Sequence, residues 1–171
     1  NAGKVYGSGA HDDSMPQTHY LAWLKNRLTL MARALKPGGT FWVMNDTRWI
    51  GYCQLMLDEL GLTFLNQIVW AYSNPTPAKY RYPKTWRPIL LYCKGERPRL
   101  FEANACPLAR GTLYYDQARA RTNFVHDLWA DIPKLVGGVF AQEELLINAA
   151  GRFAHPAQMP EAIARRAILT A

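Results

Sequence analysis

The chain is 171 residues long, 49% hydrophobic and 19% charged, a balance that fits one compact domain and excludes a disordered polar chain. Twenty Lys and Arg against thirteen Asp and Glu leave a formal net charge of +7; the excess suits a partner with a phosphate backbone, and suits an ordinary basic protein equally well. Three cysteines without a C-x-x-C pair, and the lack of any apolar run as long as a membrane span, argue against a disulfide framework, a cysteine zinc site and a membrane helix, and point to reduced thiols in the cytoplasm.

Residues 1–17 have no apolar period and read as a loop; Asn1-Ala2-Gly3-Lys4 carries neither a start methionine nor a signal-peptide core and reads as a chain cut from a longer one. Leu21, Leu24, Leu28, Met31 and Leu35 recur at steps of three and four, which predicts an amphipathic helix with Thr18 as its N-cap. Lys36-Pro37-Gly38-Gly39 ends it, because Pro cannot continue a helix and glycines permit a tight turn. Residues 40–44 are nearly all apolar and predict a strand buried on both faces, as in a parallel sheet. Asn45-Asp46-Thr47 can cap a second helix over about 49–60, with Cys53, Met56, Leu57 and Leu60 toward the core and Gly61 at its end.

Residues 64–72 and 88–93 predict two more strands, a pair that can be antiparallel. Residues 73–87 between them, rich in Pro, Lys, Arg and Tyr, are too many for a tight hairpin and too polar for a core, so they predict a surface loop with a function. Residues 94–123 show little periodicity but carry Arg97, Arg99, Arg110, Arg119 and Arg121 with Phe101, Tyr114 and Tyr115. Residues 160–171 predict a helix with Ile163, Ala167 and Ile168 on one side, Glu161 in the first turn, and Arg165 and Arg166 further on, in agreement with the helix dipole. The helix–strand–helix–strand order implies an α/β sheet.

Several motifs then stand in order. Asn1, Asp12-Asp13 and Tyr20-Leu21-Ala22-Trp23-Leu24 come first, then Leu35-Lys36-Pro37-Gly38-Gly39-Thr40-Phe41. Asn66-Gln67-Ile68-Val69-Trp70 and Arg87-Pro88-Ile89-Leu90-Leu91-Tyr92-Cys93-Lys94 follow, then Asp127-Leu128-Trp129-Ala130-Asp131-Ile132-Pro133 and His155-Pro156-Ala157-Gln158-Met159-Pro160. Over nearly the whole chain this series resembles the β-class DNA amino-methyltransferases, which act on adenine N6 or cytosine N4. Tyr20 to Leu24 looks like the stretch after that family's D-P-P-Y-N motif, and the last segment is similar to its H-P-x-Q-K-P motif, with Met159 in place of the Lys. The D-P-P-Y would precede Asn1 and the F-x-G-x-G cofactor loop would follow Ala171, so the chain alone is expected to be a partial catalytic domain without activity.

The resemblance implies a class I (Rossmann-like) methyltransferase sheet with helices on both faces, in the circularly permuted β-class order, with a target-recognition insertion at about residues 96–123. It implies S-adenosylmethionine as cofactor, no metal, and double-stranded DNA as substrate. A homodimer and a cognate restriction nuclease are partners that it allows. Asn1 would close the catalytic motif, and His155, Pro156, Gln158 and Met159 would line the cofactor site. Read from the residues themselves, Lys79, Arg81, Lys84 and Arg87, interleaved with Tyr80, Tyr82 and Trp86, form a candidate DNA surface: cations bind phosphates and aromatic rings stack on bases. The plain alternatives are a solvated loop for those cations, a disordered end for Asn1, a shaped turn for the two prolines after His155, and a core position for Trp129. As whole-chain rivals to methylation of adenine N6 stand methylation of cytosine N4, a basic DNA-binding module without catalysis, and a methyltransferase for small molecules or proteins.

Overall fold

The computed structural model describes residues 15–76, 78–107, 125–134, 146 and 158–171. Helix α1, Gln17–Ala34, starts behind Pro16, whose carbonyl accepts the Tyr20 N–H at 2.9 Å. Pro needs no N–H bond there and brings a fixed φ, so the helix begins before Thr18, which lies inside the first turn rather than capping it. The buried stripe is Leu24, Leu28 and Ala32, at steps of four, with Tyr20 and Leu35 packed around it. Met31, expected on that stripe, is 52% exposed; the small Ala32 takes the core position.

Lys36–Gly39 forms a tight turn in which the Gly39 N–H donates to the Lys36 carbonyl at 2.9 Å, and Gly38 adopts φ +72°. Pro at the second position and a positive φ at the third are the signature of a type II turn. The turn is stitched to a later strand: the Gly38 N–H donates to the Lys94 carbonyl at 2.7 Å and the Lys94 N–H to the Gly39 carbonyl at 3.0 Å. The Lys94 ammonium donates to the carbonyls of Ala32 (3.0 Å), Arg33 (3.4 Å) and Leu35 (2.8 Å), supplying both donors and positive charge to the end of α1.

Strand β1 is Thr40–Met44, helix α2 is Ile50–Glu59, strand β2 is Thr63–Thr76, strand β3 is Lys84–Cys93, strand β4 is Leu128–Trp129, and helix α3 is Glu161–Thr170. The sheet has the order β1-β3-β2-β4. β3 pairs antiparallel with both β1 and β2, and the short β4 runs parallel to β2. The parallel neighbour expected for β1 is therefore not found among the described residues, although both of its faces are packed, as the apolar run required. β2 and β3 also reach further than expected and pair as far as Thr76↔Lys84, so of the functional loop over residues 73–87 the described part outside the strands is a hairpin tip at residues 78–83.

Alternation along β3 sends Leu90 and Tyr92 to one core and Ile89 and Leu91 to the other. The first core joins them to Phe41 and Val43 of β1 and to α1 and α2, with Cys53 and Leu57 fully buried. The second joins Ile68, Trp70 and Tyr72 of β2 to Trp129, Ile132 and Ile163 of α3. Helices thus cover both faces. On α3, Ile163 and Thr170 are buried while Ile168, expected inside, is 73% exposed. Thr170 is tolerated there because its hydroxyl donates to the Arg166 carbonyl at 2.9 Å and its own carbonyl accepts the Glu102 N–H at 2.9 Å. No helix among the described residues is long and apolar enough to cross a membrane.

Candidate active site and nucleic-acid interface

Antiparallel pairing places the carboxyl end of β1, the carboxyl end of β2 and the start of β3 at one edge of the molecule. The parallel β4 delivers residues 130–133 to the same edge. In open α/β sheets ligands collect at such strand ends. Beyond β1, the Asp46 carbonyl accepts the N–H groups of Trp49 (2.8 Å) and Ile50 (3.0 Å), and its side-chain Oδ1 accepts the Arg48 N–H at 3.0 Å, which turns the chain into α2. The other carboxylate oxygen accepts from Lys84 at 2.6 Å. Burial would raise the Asp46 pKa, but the Lys84 hydrogen bond, the Arg48 N–H and the charges of Lys84 and Arg87 outweigh it and hold the carboxyl below its ordinary value.

Asn45 donates to Tyr20 Oη at 3.1 Å, and Tyr20 packs on Trp49 with ring centroids 4.8 Å apart, under the Arg48 guanidinium at 4.5 Å from the Trp49 ring. An aromatic wall therefore stands next to Asp46. An open cleft of about 410 Å³ lies between the hairpin and residues 130–133, with Tyr72, Ser73, Thr85 and Asp131 among its walls.

The structure divides the four cations expected at DNA. Lys79 and Arg81 are exposed on the hairpin tip with Tyr80 and Tyr82, which are 88% and 96% exposed. Rings open to solvent beside cations are the groups from which base stacking and phosphate contacts are built. Lys84 does not join them, because Asp46 already neutralises it at the hairpin base. Arg87 sits further along β3, half-buried, with Nη1 3.9 Å from Met159 Sδ. It is thus brought to the segment expected at the cofactor instead of to the tip. In that segment Gln158 Oε1 accepts the Leu146 N–H at 3.0 Å, Met159 packs on the second core, and Pro160 opens α3. Asn1, His155 and Pro156 lie outside the described residues, as does most of the expected insertion, of which residues 96–107 and the short 3-10 turn Ala103–Ala105 are described.

Sequence reasoning missed the Asp46–Lys84 pair and a second one on α3. Arg166 of α3 forms a two-pronged ion pair with Asp131, at 3.0 and 2.6 Å, and stacks 4.9 Å over the Trp129 ring. The Arg166 hydrogen bonds hold the Asp131 carboxyl below its ordinary pKa against the opposing effect of burial. The partners are 35 residues apart, and the only local signal, Arg166 late in a helix, also fits the helix dipole.

Residues 4–171 match the family N6_N4_Mtase, described as DNA methylase. The chain is 28% identical over 170 residues to the type II methyltransferase M.HpaI of Haemophilus parainfluenzae, covering 99% of this chain and 50% of that protein. It is 28% identical over 155 residues to the DNA adenine methyltransferase YhdJ of Escherichia coli, covering 88% of this chain and 51% of that protein. The chain thus spans about half the length of these relatives. Among solved structures, the PvuII DNA methyltransferase (cytosine-N4-specific) aligns with a TM-score of 0.64 at 16% identity, over 96% of this chain and 60% of that one. The M1.HpyAVI complex with S-adenosylmethionine aligns with a TM-score of 0.51 at 18% identity, over 91% and 61%. Fold and strand-end geometry agree with the family match, and the chain belongs to the N6/N4 DNA methylase family.

Proposed function

We propose that the protein transfers the methyl group of S-adenosylmethionine to an exocyclic base amine in double-stranded DNA, with adenine N6 as the acceptor. The observation that carries this reading is the match to the DNA methylase family along residues 4–171. The adenine choice is supported by the similarity to YhdJ over 88% of the chain.

The described residues fit the amino-acid end of the cofactor. The start of α3 behind Pro160 turns the positive end of the helix dipole toward Met159, and the Arg87 guanidinium lies 3.9 Å from the Met159 thioether. Such positive charge suits a carboxylate. His155, Pro156, Gln158 and Met159 form the proposed cofactor turn, in which Gln158 braces residue 146 and Met159 packs. When bound, the cofactor supplies a methyl group made electrophilic by its sulfonium.

The chain's own work is placement. A base amine is a weak nucleophile, because its lone pair is shared with the ring, and it is hidden in the duplex, so the base must be turned out. Lys79 and Arg81 would hold phosphates while Tyr80 and Tyr82 offer stacking faces. The Asp46–Lys84 bond fixes the hairpin base against the end of β1, so that the DNA side and the cofactor side keep their distance. Alignment for an in-line transfer is then the main contribution to rate. Asn1 remains the proposed last residue of the catalytic motif, and residues 96–123 the proposed recognition region.

The test is incubation of the full-length gene product with tritiated S-adenosylmethionine and mixed-sequence DNA, followed by nucleoside mass spectrometry. Saturable label in N6-methyladenine is expected. Label in N4-methylcytosine would move the acceptor to cytosine, and no incorporation would overturn the reading.

A further inference from the structure

Among the described residues, the Asp131–Arg166 pair ties helix α3 to the rest of the protein through two charge-assisted hydrogen bonds. Arg166 Nη1 donates to Asp131 Oδ1 and Nη2 to Oδ2, and the Arg166 side chain is only 12% exposed. Arg166 also covers Trp129, whose indole N–H donates to the His126 carbonyl at 3.0 Å. Asp131 is not itself free to move. β4 next to it pairs with β2, the Val69 N–H donates to the Asp127 carbonyl at 2.7 Å, and the buried Trp70 indole donates to the Ile132 carbonyl at 2.8 Å. Residues 127–132 are therefore a rigid extension of the sheet, and Arg166 hooks α3 onto it.

The helix start lies six residues before Arg166, at Pro160, with Met159 against Arg87. A helix is stiff over two turns, so fixing Arg166 fixes both the rotation and the axial position of that start. The flat, forked guanidinium is suited to this: two parallel hydrogen bonds set an orientation, where an ammonium would set only a distance.

We infer that Arg166, through Asp131, is a positioning residue for the turn at Gln158–Pro160, setting how well that turn receives S-adenosylmethionine without touching it. The inference rests on the cofactor reading above. Asp131 also borders the cleft beside the hairpin, so the same pair fixes one wall of that cleft.

The experiment uses the full-length gene product and four proteins: wild type, Arg166→Met, Arg166→Lys and Tyr92→Phe. The last removes a 2.6 Å hydrogen bond to Asp58, on the α1/α2 face of the sheet, and controls for general loss of stability. Calorimetry with S-adenosylmethionine and hydrogen exchange of the amides in residues 158–170 are the readouts. Arg166→Met is expected to weaken cofactor binding about five- to tenfold, the scale of one misplaced hydrogen bond at the ligand, and to speed exchange at the start of α3. Arg166→Lys, which keeps charge and one bond, is expected to lie between it and wild type. Tyr92→Phe is expected to leave both readouts unchanged. Unchanged affinity in either folded Arg166 variant, or an equal loss in Tyr92→Phe, would overturn the inference and leave the cofactor reading standing. Absence of binding by wild type would overturn the cofactor reading, and the inference with it.

Discussion

Gly38 shows what one residue decides here. Its φ of +72° is costly for any residue with a Cβ, and a Cβ built there would meet the Arg99 Cβ at 2.9 Å and the Arg99 backbone nitrogen at 3.1 Å. Both obstacles point the same way, since backbone cannot swing aside as a long side chain can. Gly38→Ala is therefore expected to lower stability by about 2 kcal/mol, combining left-handed strain with displacement of the strap at residue 99. A urea titration checks this: a midpoint within error of wild type would show that the turn relaxes freely. The turn itself was legible, because Pro followed by two glycines is a local signal. What the turn holds was not. The Gly38–Lys94 and Gly38–Arg99 backbone bonds join positions more than fifty residues apart, and no spacing rule reports them. Asp46 is a similar case. Its place before a helix predicted a cap, but the N-cap of α2 is Trp49; Asp46 instead shapes the turn before it by accepting the Arg48 N–H, and its bond to Lys84 at 2.6 Å depends on how the sheet folds.

At the scale of elements, β1, α2 and the inner part of the β2/β3 pair were legible from their apolar runs, whereas the outer part of the hairpin was not. β2 and β3 continue past Tyr72 and before Pro88 through residues that alternate poorly, because none of the described residues there is buried on either face and no hydrophobic period is required of them. The consequence for function is that two cations, not four, ride the tip. Each phosphate contact contributes roughly one unit to the salt slope of binding. Substituting Lys79 and Arg81 together by Ala is expected to flatten the slope for DNA binding by about two units and to weaken all sequences alike. Lys84→Ala is expected to leave the slope nearly unchanged, because Asp46 already occupies its ammonium, and to lower stability instead. Fluorescence anisotropy across a salt series separates the two. Equal slopes for the tip variant and wild type would make the tip a bystander, and a full unit lost in Lys84→Ala would mean that the ion pair opens on DNA.

For the whole molecule, the two-faced core followed from composition and order, but the ties that close it are charged and were invisible. Two carboxylates matter: Asp46 ties the end of β1 to the hairpin base, and Asp131 ties the sheet extension to α3. Both have folded pKa values below the ordinary one of 3.8. A depressed folded pKa means that the folded state holds the proton less tightly than the unfolded chain. The stabilisation is whole above the unfolded value and is lost as pH falls below it through the folded value. Acid should therefore loosen both ties together, beginning near pH 4. Asp131→Asn isolates one of them, since Asn cannot ionise and accepts only one strong bond from Arg166. At pH 6 that variant is expected to melt below wild type, and the gap is expected to narrow as pH falls below about 4, because wild type is losing what the variant already lacks. Scanning calorimetry at several pH values gives the comparison. A gap that stays constant down to pH 3 would show that Asp131 acts by shape and not by charge, and that Arg166 holds α3 through Trp129 alone.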